Sequence, residues 1–264
     1  MTSQPPLSIP QLRALYDQDQ RRNFVEPDVR REDTTHTIRQ INLRGTFSFL
    51  LYADLTADNA EQVISDEIAY FESIGHDFEW KTFSHDALPD LVDRLRARGF
   101  ETEEPETIMI LDMNSMVEKL RQPITHDIRR ITDSVDIDPL IDVASMVFGE
   151  DLQRMGQRLK WELSNYPDYI SLYVAYVDGI PVASARAYFP TGSPFASLWG
   201  GGTLEAYRGR GVYTALVAAR VQEALSRDRR FLTIDASPMS RPIVEKLGFV
   251  PISVSTPCQW TCRK

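Results

Sequence analysis

With 264 residues, 42% of them hydrophobic and 25% charged, the chain has enough apolar material for one large domain or two ordinary ones, and it is not disordered. Its formal net charge of −9 argues against nucleic acid or an anionic membrane surface as the main partner, whereas an acidic cleft would concentrate a cationic amine. The opening MTSQPPLSIP has no signal-peptide pattern, and no apolar run reaches membrane-spanning length, so a soluble cytoplasmic protein is expected.

The first 35 residues or so offer little beyond a helical pattern around Leu12 and Leu15. From Thr37 the run IRQINLRGTFSFLLYADL alternates and predicts two neighbouring strands with a turn at Gly45. An amphipathic helix follows from Asp58 to Ile74, with Val63, Ile64, Ile68 and Phe71 on one face and Gly75 as its stop. Next come a strand at 78–83, a helix at 87–98 ended by Gly99, a strand at 107–113 and a helical linker at 114–122 closed by Pro123.

The second half starts with a strand in THDIRRIT and two helices at 137–148 and 152–165 separated by Gly149. Strands at 169–177 and 182–189 form a hairpin around Asp178-Gly179, a strong turn signal. Leu198 to Leu204 is an apolar strand, Arg208-Gly209-Arg210-Gly211 a loop, and the stretch to Ser226 a helix. A strand at 231–235, a helix from Ser237 to Lys246 stopped by Gly248, and strand structure at 250–260 complete an α/β chain of mixed sheets.

The RGRG loop is read as a phosphate cradle. Glycine admits positive φ, so successive N–H groups can converge on one anion, and the helix start and Arg208 and Arg210 add positive charge. An RGRG run also suits RNA, which the acidic chain disfavours. Cys258 and Cys262 lie four apart, about 13 Å on a strand, too far for a disulfide, and without a neighbouring histidine they make a poor metal site. No metal is expected.

Strand, RGRG loop and helix resemble the GCN5-related N-acetyltransferase (GNAT) superfamily, whose signature is Arg or Gln, two residues, Gly, one residue, then Gly or Ala. Arg208 and Gly211 match, while Tyr213 replaces the small third residue. EKLGF at 245–249 resembles the end of the family's last helix, and the order strand, two helices, three strands, helix, strand, helix, strand is that of the family. The resemblance covers residues 124–264. It implies an acyl-CoA N-acyltransferase fold in the C-terminal half and coenzyme A contacts at Thr203, Leu204, Arg208, Gly209, Arg210, Gly211, Val212 and Tyr213.

DALPDLVDRLRARGFE at 86–101 parallels SPMSRPIVEKLGFV at 237–250, which points to an internal repeat. Where the second copy has RGRG, the first has DLTADN at 54–59, whose acids would repel a pyrophosphate. The expected organisation is therefore a degenerate, shortened GNAT-like domain at 1–122 that does not bind coenzyme A, and a GNAT acetyltransferase domain at 123–264.

The expected activity is direct acetyl transfer from acetyl-CoA to a primary amine by a monomer or homodimer, with no nucleic acid and no membrane involved. The alternative is a catalytically inactive coenzyme A-binding regulatory or interaction module. Gly200, Gly201 and Gly202 permit a bulge that would free N–H groups for an oxyanion. A protonated amine must lose a proton before attack. Glu205 is the first candidate base, with Glu162, Asp178 and Tyr188 as alternatives. The tyrosine that protonates the departing thiolate in the family aligns with Val244, leaving Ser237, Ser240, Tyr213 or water, or an unassisted departure of the thiolate. Trp199, Tyr188, Phe189 and Phe195 could line an acceptor pocket or belong to the core. The four histidines receive no role.

Overall fold

In the computed structural model, which describes residues 6–263, most of the patterned segments take the forms that their spacing dictates, although the helix expected from Ser237 to Lys246 is confined to Arg241–Glu245. α1 (Ile9–Tyr16) starts with a capping box between Ser8 and Gln11 and buries Leu12 and Tyr16 before passing into a π-helical turn, Asp17–Arg22. β1 (Val29–Asp33), β2 (Thr37–Asn42) and β3 (Phe47–Ala53) form an antiparallel meander. β1 escapes a pattern reading because it is a charged outer strand, VRRED, with Arg30 paired to Glu32 and Arg31 to Asp33. α2 (Ala60–Ile74) buries Val63, Ile64 and Phe71, ends on left-handed Gly75, and delivers the chain to β4 (Asp77–Phe83), which pairs with β3 in parallel. α3 (Leu91–Ala97) is shorter than the expected 87–98, and β5 (Glu101–Thr102) is a two-residue strand.

β6 (Glu106–Asp112) follows, and the expected helical linker is two 3-10 turns, Met113–Ser115 and Glu118–Leu120. After β7 (Asp127–Ile131) come α4 (Asp138–Phe148) and α5 (Gln153–Asn165). β8 (Ile170–Val177) and β9 (Ile180–Tyr188) make the expected hairpin, with φ of 51° at Asp178 and 78° at Gly179. β10 (Phe195–Thr203), α6 (Val212–Ser226), β11 (Phe231–Ala236), α7 (Arg241–Glu245) and β12 (Val250–Trp260) complete the chain.

These elements fall into two compact units that interleave in sequence. One comprises Ser8–Ile108, Ala236–Pro238 and the segment from Pro251. The other is built mainly from Met109–Asp235 and Met239–Val250, and the 122/123 position lies within it. The first unit has the strand order β1-β2-β3-β4-β12, with β5 on β12, so its sheet is completed by the C-terminal strand. Its core gathers Leu50, Ile64, Phe71, Trp80, Leu95 and Phe100, and Phe71 stacks on Phe78 at 4.1 Å. Each such fully buried side chain contributes about 1.5–3 kcal/mol.

The same unit holds a polar network at the π-helical turn. His85 Nδ1 meets Ser253 Oγ at 2.7 Å and its Nε2 meets the Asp17 carboxylate at 3.0 Å, while Arg21 pairs with Asp17 and Asp86. Burial opposes the Asp17 charge, but hydrogen bonds from His85 and Arg21 outweigh it and hold the carboxyl below the usual range. Ser253 Oγ is also bonded to Ser84, so the network ties turn, loop and strand together.

In the second unit the strand order is β7-β8-β9-β10-β11-β6. One face packs Leu140, Ile141, Leu159 and Leu163 of α4 and α5 on Ile170, Leu172 and Val174 of β8. The other packs Val212 and Leu216 of α6 on Tyr173, Ala183 and Ala185.

Candidate functional site

The parallel pair β10 and β11 is in register only for Phe195–Leu198 against Phe231–Ile234. Beyond Leu198, β10 runs on through Trp199–Thr203 along β9, where Trp199 faces Arg186 and Gly202 faces Ser184. Three steps on β10 therefore match two on β9. This is a β-bulge at the glycines, as the triple glycine implies, and it interrupts the ladder. Gly200 has φ +54°, and a Cβ there would lie 2.9 Å from Arg186 Nη1. At Gly201 a Cβ would meet Tyr213 Cε2 at 3.2 Å, and at Gly202 it would collide with Val147 Cγ1 at 2.5 Å. Three side-chain contacts thus fix three glycines.

From Thr203 the chain makes a 3-10 turn, Glu205–Tyr207, and enters the RGRG loop. Arg208 Nε donates to the Thr203 carbonyl at 3.1 Å, and Arg210 lies over the Tyr207 ring at 5.2 Å. Gly209 and Gly211 have φ of 75° and 80°, and Gly211 is the residue before the first turn of α6. This backbone course presents the loop N–H groups together with the free N–H groups of a helix start. His126 Nε2 meets the Arg210 carbonyl at 3.0 Å and so braces the loop. Arg208 and Arg210 are exposed and, among the described residues, neither has a carboxylate partner. Positively charged side chains and a helix start with no carboxylate against them are the chemistry that suits an anion, here in a chain of net charge −9.

The other expected residues distribute unevenly. Thr203 is buried with its Oγ1 unpartnered, and Leu204 N–H donates to the Val182 carbonyl at 2.9 Å. The Val212 side chain is in the core, which leaves its N–H as the group available at the loop, and the Tyr213 ring backs Gly201. Glu205 is exposed at the start of the 3-10 turn. Ser237 lies in Ala236–Pro238, which counts with the other unit. Asp178 sits in the hairpin turn. Glu162 is buried but is ion-paired to Arg158 at 2.5 Å and accepts from Tyr188 at 3.5 Å. Val244 is fully buried on α7. Of the aromatic residues, Phe189 and Phe195 are core, whereas Trp199 is 39% exposed.

Two arginines that the sequence reading passed over flank the bulge. Arg220, on α6, is fully buried and donates to the carbonyls of Leu216 at 3.0 Å and Arg186 at 3.4 Å, and its Nη2 has no partner. Burial lowers its pKa to about 10, so it stays charged at neutral pH. Arg186, on β9, has a buried, unpartnered Nε and an Nη1 that lies 3.1 Å from Met155 Sδ. An arginine among the apolar positions Leu216, Val217, Val221 and Ala224, and another in the small-residue strand VASARAY, were the available signals.

A family model described as "Acetyltransferase (GNAT) family" matches residues 138–249. No curated protein matches the chain. Among solved structures, a GCN5-related N-acetyltransferase from Kribbella flavida superposes with a TM-score of 0.67 at 13% identity, covering 94% of each chain. A functionally unknown conserved protein from Staphylococcus epidermidis gives 0.67 at 15% identity, covering 90% of this chain and 96% of that one. A tandem GNAT protein from the clavulanic acid biosynthesis pathway gives 0.60 at 13% identity, covering 98% and 89%. At these identities the likeness speaks for the fold, and it extends over nearly the whole chain. The parting strands, the glycine bulge and the RGRG loop all lie inside the matched segment, and residues 138–249 are a domain of the GNAT family, whose members are acyltransferases.

Proposed function

We propose that the protein is an acetyl-CoA-dependent N-acetyltransferase that transfers the acetyl group directly to a primary amine. The observation that carries this reading is the RGRG loop, where two left-handed glycines and two arginines with no carboxylate partner among the described residues stand at the start of α6, directly after a strand that has parted from its neighbour. Acetyl-CoA supplies an activated acetyl thioester. In this reading the N–H groups of Gly209 to Tyr213 and the guanidinium groups of Arg208 and Arg210 hold its pyrophosphate, and Thr203 and Leu204 border the pantetheine arm. The interrupted ladder at Gly200 and Gly201 turns backbone N–H groups toward the developing oxyanion, with Arg220 adding positive charge from behind. No pre-arranged base is needed if water takes the amine proton, and with Val244 at the tyrosine position the thiolate, of ordinary pKa near 8.5, leaves unassisted. The N-terminal crossover, lacking such a loop, is proposed as a degenerate copy that does not bind coenzyme A.

Val244 also favours a second reading, a coenzyme A-binding module without catalysis. Calorimetry with acetyl-CoA and a thiol-release assay over a broad amine panel separate the possibilities. Binding with turnover of at least one amine is the expected result. Binding without turnover selects the module, and no binding by the folded protein sinks both.

A further inference from the structure

We propose that the acceptor amine carries a carboxylate a few bonds from its nitrogen, and that Arg186 holds that carboxylate beside the glycine bulge. The proposal rests on the acetyl-transfer reading and names its substrate class.

Directly paired residues of neighbouring strands share a face. The register therefore places Ser184, Arg186 and Tyr188 of β9 on one face with Ser197 and Trp199 of β10 and Thr233 of β11. This is the face on which α4 and α5 cover β8, where Met155 and Tyr188 border the apolar cluster. Toward β10 the cover thins, for Trp199, directly opposite Arg186, is 39% exposed.

Arg186 is anomalous in its setting. Arg158 has Glu162, Arg227 has Glu223 and Arg230 has Asp112, but Arg186 has no carboxylate among the described residues. Its Nε is buried and unpartnered, and its Nη1 faces only the weak acceptor Met155 Sδ. On the same face Ser184 Oγ and Thr233 Oγ1 are also buried without partners. A guanidinium fork with open donors, on the same strand face as the unsatisfied Ser184 hydroxyl, calls for a planar acceptor with two oxygens, and a carboxylate fits that geometry.

Position then limits the size of the ligand. Arg186 Nη1 is 2.9 Å from where a Gly200 Cβ would stand, so the guanidinium lies against the bulge at which the amine must attack. A carboxylate on Arg186 and an amine at the bulge can belong to one molecule only if few bonds separate them. That describes a free amino acid and excludes a long polyamine or a lysine side chain of a protein.

The test measures kcat/KM for thiol release from acetyl-CoA with each of a set of free amino acids beside its carboxamide, in the native protein and in Arg186→Ala, Arg186→Gln and Arg186→Lys. Acetyl-CoA binding and Tm are recorded for every variant. The native protein is expected to prefer at least one amino acid over its amide by roughly 10–100-fold. Arg186→Ala or its isostere Arg186→Gln should bring the ratio close to one, and Arg186→Lys should keep part of it, with acetyl-CoA affinity unchanged throughout. If Arg186→Ala fails to fold, Arg186→Gln carries the comparison. Acetyl-CoA binding combined with a preference for amides, or with a ratio indifferent to Arg186, overturns the carboxylate proposal and leaves acetyl transfer standing. Loss of acetyl-CoA binding in the native protein overturns the acetyl-transfer reading and the proposal with it.

Discussion

The chain twice passes from one strand to its parallel neighbour through a fifteen-residue helix, once as β3-α2-β4 and once as β10-α6-β11, and only the loops before the helices differ in kind. In the first, residues 54–59 close on themselves. Asn59 Oδ1 accepts from the Thr56 N–H at 2.7 Å, its Nδ2 reaches the Asp54 carbonyl at 3.4 Å, and none of these residues has a positive φ. Asp54 and Asp58 stand exposed beside the helix start, so the negative charge that a helix N-terminus attracts is built into the sequence. In the second, Gly209 and Gly211 have positive φ and the charges nearby are cationic. The crossover is a shared structural frame, and in the proposed reading the capacity to hold an anion resides in the glycines and arginines of its second loop.

The likeness of the two crossovers extends past their second strands. Gly99 and Gly248 have φ of 101° and 96°, Phe100 N–H donates to the Leu95 carbonyl and Phe249 N–H to the Val244 carbonyl, each at 3.1 Å, and both phenylalanines are buried. The same left-handed helix ending followed by the same apolar anchor is what the shared Gly-Phe in the sequence encodes.

The sharpest way to break the contrast is to remove the charge from each loop. Arg208→Ala combined with Arg210→Ala is expected to weaken acetyl-CoA binding by about 100-fold, equivalent to ~2.7 kcal/mol, with only a small change in Tm because both side chains are exposed, have no ion pair among the described residues, and lose one hydrogen bond to the Thr203 carbonyl and one contact with the Tyr207 ring. Asp54→Ala with Asp58→Ala should leave that affinity as it was. Calorimetry on the two double variants decides, and equal losses in both would refute the assignment of binding to the second loop alone.

The bulge offers the next test. A Cβ at Gly202 would sit 2.5 Å from Val147 Cγ1, so Gly202→Ala must displace α4 or the strand and should cost about 1–3 kcal/mol. Gly209→Ala has open space around its Cβ but keeps φ at 75°, so its cost of about 1 kcal/mol comes from the backbone alone. Chemical denaturation of both variants should therefore rank Gly202→Ala as the more damaging, and the opposite order would mean that the close approach of strand and helix is relaxed in solution.

How much of this could be read in the sequence follows from the range of the forces involved. Local signals were decisive: the Asp178-Gly179 hairpin, the Gly75 and Gly149 helix ends, the RGRG loop and the Gly-Phe repeat are each set by residues within a turn of one another. The return of β12 to the sheet of β4 depends on partners 172 or more residues apart, Ser255 with Phe83 being the nearest in sequence, and no local pattern encodes it. The surroundings of Arg186 and Arg220 were hidden for the same reason, since an arginine in a strand or helix looks solvated until the register shows what packs around it. His85 looked idle because its partners, Asp17 and Ser253, lie at opposite ends of the chain.

The smallest effect concerns what holds the first loop shut. Asn59→Ala removes the acceptor for the Thr56 N–H and the donors to Asp54 and His36, but Thr56 is exposed and water can replace the lost bonds. The cost should then fall at the low end for a polar contact, about 0.5–1 kcal/mol, or a Tm shift of about 1–4 °C for a chain of this size. Acetyl-CoA affinity should not move, because the loop would still lack left-handed glycines and would still carry Asp54 and Asp58. A variant with unchanged Tm would mean that the loop is held by α2 alone. A variant that gained affinity for pyrophosphate would mean that Asn59, and not the missing glycines and arginines, is what keeps anions out of the first crossover.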